Sequence, residues 1–89
     1  MKKVYMMITS WCPHCRKAKG WLEELRKDNG EYAKVDIEII DEEKEPDKIK
    51  EHGFEYYYVP TFYVEKEKVF EGVPSKELVE SVLKKAVEE

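Results

Sequence analysis

Two cysteines, Cys12 and Cys15, are the only ones in the chain, and Pro13 and His14 separate them. Two thiols at this spacing can close a small disulfide when the second lies one helical turn beyond the first. The pair directly follows a short apolar segment, residues 4–8, that is typical of a strand. A strand followed by a helix that begins at Cys12 supplies this geometry, and it predicts reversible thiol–disulfide exchange.

Helical periodicity predicts different environments for the two thiols. Helical spacing links Cys15 to three apolar residues that follow it: Ala18, Leu22 and Leu25. We therefore expect Cys15 on the buried helix face and Cys12 at the exposed helix start, where free N–H groups and the helix dipole favour an anion. Such surroundings lower a thiol pKa from about 8.5 to roughly 3.5–7.5. Cys12 is the predicted nucleophile, and Cys15 is the predicted resolving thiol.

The remaining pattern predicts the elements that position this pair. The first helix is expected to stop at residues 28–30, and the alternating segment 34–40 predicts an edge strand that buries Val35, Ile37 and Ile39. Residues 46–52 predict a short helix, and residues 54–64 and 69–70 predict a hairpin around a turn at 65–68. Ser75 is the expected cap of a final amphipathic helix with one apolar stripe: Leu78, Val79, Val82, Leu83, Ala86 and Val87. This order predicts an α/β fold with a mixed four-stranded sheet and helices on both faces.

Size and charge exclude several classes of function. The 89 residues predict one small domain spanning 1–89. The 16 Lys and Arg against 20 Asp and Glu give a net charge of −4, which argues against nucleic-acid binding because that function needs a clustered basic face. No apolar run approaches the ~18 residues of a membrane span, and residues 4–8 are too short for a secretory signal. We expect a soluble, cytoplasmic monomer that binds no membrane.

Three features together resemble the thioredoxin superfamily, and the compact layout is similar to a glutaredoxin over essentially the whole chain. They are the Cys12-Pro13-His14-Cys15 motif, the Val59-Pro60-Thr61 segment before the third strand, and Gly72 before the last helix. The resemblance implies a thioredoxin-like fold and a thiol–disulfide oxidoreductase that uses no bound cofactor. Its substrates would be disulfides of proteins or of small molecules.

The resemblance also implies roles for residues outside the cysteine pair. It implies that Pro60 is cis and forms a wall of the site, that Tyr58 and Val59 dock the substrate, and that Gly72 belongs to the substrate-binding surface. Trp11, directly before Cys12, is a thioredoxin-like trait and is expected to face the substrate.

Three positions depart from the glutaredoxin pattern. Thr9 and His14 stand where glutaredoxins usually carry a basic residue and a tyrosine for glutathione, and residues 72–75 lack the usual double glycine. The electron donor is expected to be a reductase or glutathione. These three departures argue against glutathione. The Cys-Pro-His-Cys motif resembles that of strong dithiol oxidases. A protonated His14 would stabilise the reduced form and make the couple more oxidising.

Two other readings of the cysteines lead to different functions. Two Cys with His14 and His52 would complete a four-ligand zinc set, but their spacing matches no zinc finger or ribbon, so no metal site is predicted. By family resemblance, Cys12 could share an iron–sulfur cluster between subunits. The alternative function is therefore a redox-sensing or cluster-carrying module without turnover.

Overall fold

The computed structural model describes residues 1–88. Its elements follow the predicted order with one addition: β1 (Val4–Ile8), α1 (Pro13–Asp28), α2 (Gly30–Ala33), β2 (Ile37–Asp41), α3 (Pro46–His52), β3 (Thr61–Val64), β4 (Glu67–Glu71) and α4 (Lys76–Val87). The addition is α2. Asn29 is its N-cap, and the Asn29 side chain accepts a hydrogen bond from the Glu31 N–H at 2.9 Å. Within residues 1–88, the helices are all too short or too polar to cross a membrane.

The four strands form one mixed sheet in the order β2-β1-β3-β4. β1 pairs in parallel with β2 and antiparallel with β3, and β3 and β4 form an antiparallel hairpin. The predicted mixed sheet and hairpin are confirmed. The hairpin turn is shorter than predicted, because Glu67 and Lys68 already pair with Val64 and Tyr63.

Alternation along the central strands divides the interior into two layers. Val4, Met6 and Ile8 of β1 pack with buried residues of α1 and α4, whereas Met7 packs with Ile40 and the aromatic rings on the opposite face of the sheet. Ile49 of α3 contacts this second cluster. Helices therefore cover both faces, as predicted.

The edge strand β2 buries a different set of residues from the one predicted. Val35 and Ile37 contribute to the layer below α1, but Ile39 is 41% exposed, and Ile40 is fully buried on the other face. The prediction for Ile39 is wrong, because this side chain lies in an open groove of about 580 Å³. Residues of both α1 and β2 line the groove, Ile37 and Ile39 among them.

The final helix begins where the sequence predicts. The Ser75 Oγ accepts a hydrogen bond from the Leu78 N–H at 3.2 Å, which satisfies one of the free donors of the first turn. Its buried stripe consists of four residues: Val79, Val82, Leu83 and Ala86. The stripe is narrower than predicted, because Leu78 is exposed and Val87 is half-buried.

Candidate active site

The cysteine pair lies at the start of α1. Cys12 is the N-cap residue, and Pro13 occupies the first helical position, where its missing N–H has no partner to lose. The Cys15 N–H donates a hydrogen bond to the Cys12 Sγ over 3.3 Å. The cap role that Ser or Asp usually fills is therefore taken by a sulfur atom, and this sulfur lies at the positive end of the helix dipole.

The predicted exposure of Cys12 is wrong. Cys12 is only 4% exposed and Cys15 only 2%, and both belong to the core cluster below α1. The loop before β3 covers the helix start: Val59 packs against this cluster, and the Cys12 Sγ–H points to the Val59 carbonyl oxygen at 3.8 Å. Exposure therefore does not distinguish the two thiols.

Hydrogen bonding and burial distinguish them instead. Burial, followed by the hydrogen bond with Cys12, raises the pKa of the Cys15 thiol to about 12, although the Thr9 backbone and the Lys19 ammonium oppose the shift. Cys15 is thus held as a neutral thiol, whereas the Cys12 sulfur receives an N–H donor. This arrangement favours Cys12 as the attacking group through hydrogen bonding, and not through the exposure on which the prediction relied.

The loop before β3 brings the other predicted residues to the pair. The Val59–Pro60 peptide bond is cis, as the resemblance implies, and Pro60 is fully buried. The Pro60 carbonyl accepts a hydrogen bond from the Gly72 N–H at 3.2 Å. Gly72 has φ 108°, a conformation that glycine adopts without the steric cost of a Cβ. Within residues 1–88, the Val59 N–H has no hydrogen-bond partner.

Four exposed apolar residues lie in the segments around the pair, and we call them the apolar rim: Trp11, Tyr57, Tyr58 and Val73. Each lies within two positions along the chain of Cys12, Val59 or Gly72. Tyr57 is 92% exposed and the other three are each 68% exposed. Exposed apolar groups in one region are typical of a surface that binds another molecule. The two rim residues predicted to face substrate, Trp11 and Tyr58, are both open to solvent.

The two histidines occupy separate regions. His14 is exposed on the first turn of α1, whereas His52 stacks on Phe54 with a centroid distance of 4.9 Å, beside the second core cluster. In the part of the chain that the structure describes, no three His, Cys, Asp or Glu side chains converge as a metal site. The four-ligand zinc set considered from the sequence is therefore not assembled.

One residue with a structural role at the site was not identified from the sequence. Glu71, at the end of β4, accepts hydrogen bonds from the Tyr57 and Tyr58 N–H groups at 2.8 and 3.2 Å through its Oε2. Its Oε1 binds the Lys68 Nζ at 2.7 Å. A glutamate in a charged strand carries no sequence signal for such contacts, because they form only when the hairpin folds against the loop.

Comparisons with known proteins agree with this geometry. A family model described as "Thioredoxin domain" matches residues 2–84. A thioredoxin of Methanocaldococcus jannaschii is 31% identical over 83 residues, which cover 93% of each chain. Protein TlpB of Flavobacterium psychrophilum is 37% identical over 59 residues, which cover 64% of this chain but only 16% of that protein.

Solved structures show the same fold. The oxidised thioredoxin of Plasmodium falciparum is 20% identical, with a TM-score of 0.68 over 94% of this chain and 79% of that chain. The fold is therefore thioredoxin-like, with its mixed four-stranded sheet between helices. With the family model covering nearly all of it, the chain belongs to the thioredoxin family.

Proposed function

We propose that the protein exchanges its Cys12–Cys15 dithiol or disulfide with disulfides or dithiols of proteins and small molecules. A thioredoxin domain with this cysteine pair supports thiol–disulfide oxidoreductase chemistry in general. The observation that carries the specific proposal is the asymmetry of the pair. The Cys12 sulfur accepts an N–H at a helix start, while burial keeps Cys15 protonated.

The asymmetry defines the order of steps. The Cys12 thiolate attacks one sulfur of a substrate disulfide; a mixed disulfide forms, and the other substrate sulfur leaves as a thiolate. Cys15 then loses its proton and attacks the Cys12 sulfur, which releases the second substrate thiolate and closes the Cys12–Cys15 bond. Two electrons pass from the protein to the substrate, and the released thiolates take up protons. In the reverse direction the protein oxidises a dithiol, and neither direction requires a bound cofactor.

Residues beyond the pair are assigned to positioning the substrate. The unpaired Val59 N–H supports pairing of the Val59 backbone with an extended substrate segment, with Pro60 as the adjacent wall. Gly72 and the apolar rim, including Trp11 and Tyr58, would border that segment. Pro13 restrains the helix start, and His14 is assigned to tuning the redox potential.

The electron donor proposed here is a dithiol reductase rather than glutathione. Thr9 stands where glutaredoxins usually carry a basic residue for glutathione, and it is 5% exposed. A buried neutral hydroxyl offers glutathione no charged anchor. Rapid reduction of the oxidised protein by glutathione, compared with a thioredoxin reductase, would contradict this choice and restore the glutaredoxin-like reading.

The decisive experiment measures turnover of a protein disulfide by single cysteine variants. With insulin as substrate and dithiothreitol as final reductant, Cys12→Ser should lower the rate by about 10³-fold or more, because the attacking thiol is lost. Cys15→Ser should accumulate a covalent mixed disulfide that mass spectrometry detects. Ser10→Ala, an exposed neighbour of the pair, is the matched control and should keep the wild-type rate. Full turnover by Cys12→Ser would refute the proposal.

The same preparations test the alternative predicted from the sequence. A redox-sensing or cluster-carrying module would show no insulin turnover. A cluster carrier would also develop visible absorption after anaerobic incubation with iron and sulfide. Turnover in the wild type that Cys12→Ser abolishes would exclude a module without turnover.

A further inference from the structure

We propose that Glu71 is a positioning residue for substrate docking: it fixes residues 57–59 so that the Val59 backbone stays beside Cys12 and free to pair. This inference rests on the proposed disulfide exchange, because it concerns how a substrate segment is placed at the attacking sulfur. It assigns a role to a residue that does not touch the reacting atoms.

Residues 57 and 58 need such a restraint because, unlike Val59 and Pro60, they do not pack against the core. The segment 57–60 lies between α3 and β3 and belongs to neither. The Tyr57 and Tyr58 side chains are 92% and 68% exposed, so core packing cannot fix their backbone. An exposed loop without packing samples many conformations. Ordering it when a substrate docks costs conformational entropy and weakens binding.

Glu71 supplies the restraint through two consecutive backbone donors. A single carboxylate oxygen, Oε2, accepts the Tyr57 N–H at 2.8 Å and the Tyr58 N–H at 3.2 Å. Hydrogen bonds to an ionised acceptor are stronger than those between neutral groups. Glu71 itself is held by the β3–β4 ladder, where it pairs opposite Thr61, so the restraint is anchored in the sheet.

Lys68 keeps the carboxylate charged and oriented. Its Nζ binds the second oxygen, Oε1, at 2.7 Å, which leaves Oε2 directed at the loop. The Lys68 hydrogen bond, followed by the Tyr57 N–H, lowers the pKa of Glu71 to about 2. The acceptor therefore remains ionised across the pH range in which thiol exchange operates.

The same end of the hairpin restrains the remaining carbonyl groups. The Thr61 Oγ1 donates to the Tyr58 carbonyl, and the Gly72 N–H donates to the Pro60 carbonyl. With the N–H groups of Tyr57 and Tyr58 already bound to Glu71, Val59 is the residue of this loop whose N–H lacks a partner within residues 1–88. Backbone pairing with a substrate is thereby centred on the residue that contacts Cys12.

Kinetics of the Glu71→Ala variant test the role in docking. For insulin, kcat/KM should fall about tenfold, mainly through KM, because charge-assisted hydrogen bonds that order the docking loop are lost. Alkylation of Cys12 by iodoacetamide should not fall below the wild-type rate, since this small reagent needs no docking loop and a looser loop covers the sulfur less. Glu71→Gln, which keeps a neutral acceptor oxygen, should recover part of the loss.

Glu67→Ala is the matched control. Glu67 lies on the same strand and binds the Lys85 Nζ at 2.6 Å, so its removal breaks an ion pair without touching residues 57–59. This variant should leave both rates unchanged. If insulin turnover and alkylation fall together in Glu71→Ala, or if both glutamate variants behave alike, the positioning role is wrong.

Amide hydrogen exchange gives a readout that does not depend on activity. In Glu71→Ala the Tyr57 and Tyr58 amides should exchange about tenfold faster than in wild type, and Glu67→Ala should not change them. If Glu71→Ala does not fold, the amide exchange rates of Glu71→Gln are compared with those of wild type instead, and a smaller increase is expected. Unchanged exchange would overturn the inference even if Cys12→Ser confirms disulfide exchange. Faster exchange in a protein without turnover would instead locate the failure in the proposed function.

Discussion

Two sulfur atoms three positions apart experience different surroundings although both are buried. Cys12 caps α1 and receives the Cys15 N–H, whereas Cys15 lies inside the layer between α1 and the sheet. A buried thiolate without a compensating donor is costly, so Cys15 remains protonated. In the proposed exchange, hydrogen bonding and not exposure therefore favours Cys12 as the nucleophile.

Alkylation rates should report the raised pKa of Cys15. At pH 8, iodoacetamide should modify Cys15 in the folded, reduced protein about 10³-fold more slowly than in urea, because its pKa rises from 9.0 to about 12 and the thiolate fraction falls accordingly. Time-resolved peptide mapping provides the two rates, and Cys12 in the same samples is the internal comparison. Equal folded and unfolded rates for Cys15 would contradict the assignment.

The raised pKa of Cys15 also makes the stability of the reduced protein depend on pH. Folding favours the neutral thiol, so this contribution is fully present below pH 9.0 and is lost as the pH rises toward about 12. In that window the reduced wild type should lose stability more steeply than Cys15→Ala. Urea titrations at a series of pH values measure the difference, and parallel curves would show that Cys15 does not contribute.

His14 is the residue expected to adjust the redox potential. His14→Gly should lower the potential by roughly 30 mV, which corresponds to about 1.4 kcal/mol, because the variant removes an imidazole that can stabilise the reduced thiolate by charge or hydrogen bonding. Equilibration with a glutathione or dithiothreitol buffer measures it. Lys17→Ala, which removes an exposed cation from outside the motif, should shift the potential less. An equal shift in both variants would show that the potential responds to the total charge near the site and not to His14 in particular.

At the scale of elements, two helices begin at capping residues with different tasks. The Cys12 Sγ caps α1 and is also the proposed attacking atom, so the first turn of α1 belongs to the candidate site. The Ser75 Oγ caps α4, and the buried stripe of this helix covers the sheet. The first cap connects secondary structure to chemistry, whereas the second contributes to stability alone.

Removal of the α4 cap should therefore affect stability without affecting the site. Ser75→Ala should lower the free energy of unfolding by about 1 kcal/mol, because the Leu78 N–H loses its acceptor. Ser81→Ala, within the same helix, should change it by only a few tenths of a kcal/mol. Urea unfolding measures both, and similar losses in the two variants would argue against a special role for the cap.

At the scale of the whole molecule, sheet topology assembles the site from distant parts of the chain. Because β3 runs antiparallel to β1, the start of β3 lies beside the end of β1, and Thr61 pairs with Met7. Because β4 pairs antiparallel with β3, its end at Glu71 returns to the same edge. Cys12, Pro60 and Gly72 follow or precede these strand ends, so all three converge although only the cysteines are close in sequence.

The local features of this protein were determined by the sequence. The motif at residues 12–15, the helix starts at Cys12 and Ser75, the short helix at 46–52 and the hairpin all depend on contacts within a few residues, where spacing and capping act directly. The order of these elements was sufficient to predict the mixed sheet. The resemblance added the cis Val59–Pro60 bond, which periodicity does not reveal.

Only the tertiary structure decided which groups meet. The Cys12 sulfur is covered by Val59, 47 positions away, and Ile39 is exposed in a groove that residues of α1 and β2 line together. Glu71 accepts hydrogen bonds from the loop 13 and 14 positions before it, and no pattern in the sequence of this charged strand predicts these contacts. Local preferences specify helices and strands, whereas burial and long-range hydrogen bonds depend on how those elements pack. The sequence therefore determined the thiol chemistry, and packing decided what surrounds the reacting sulfur.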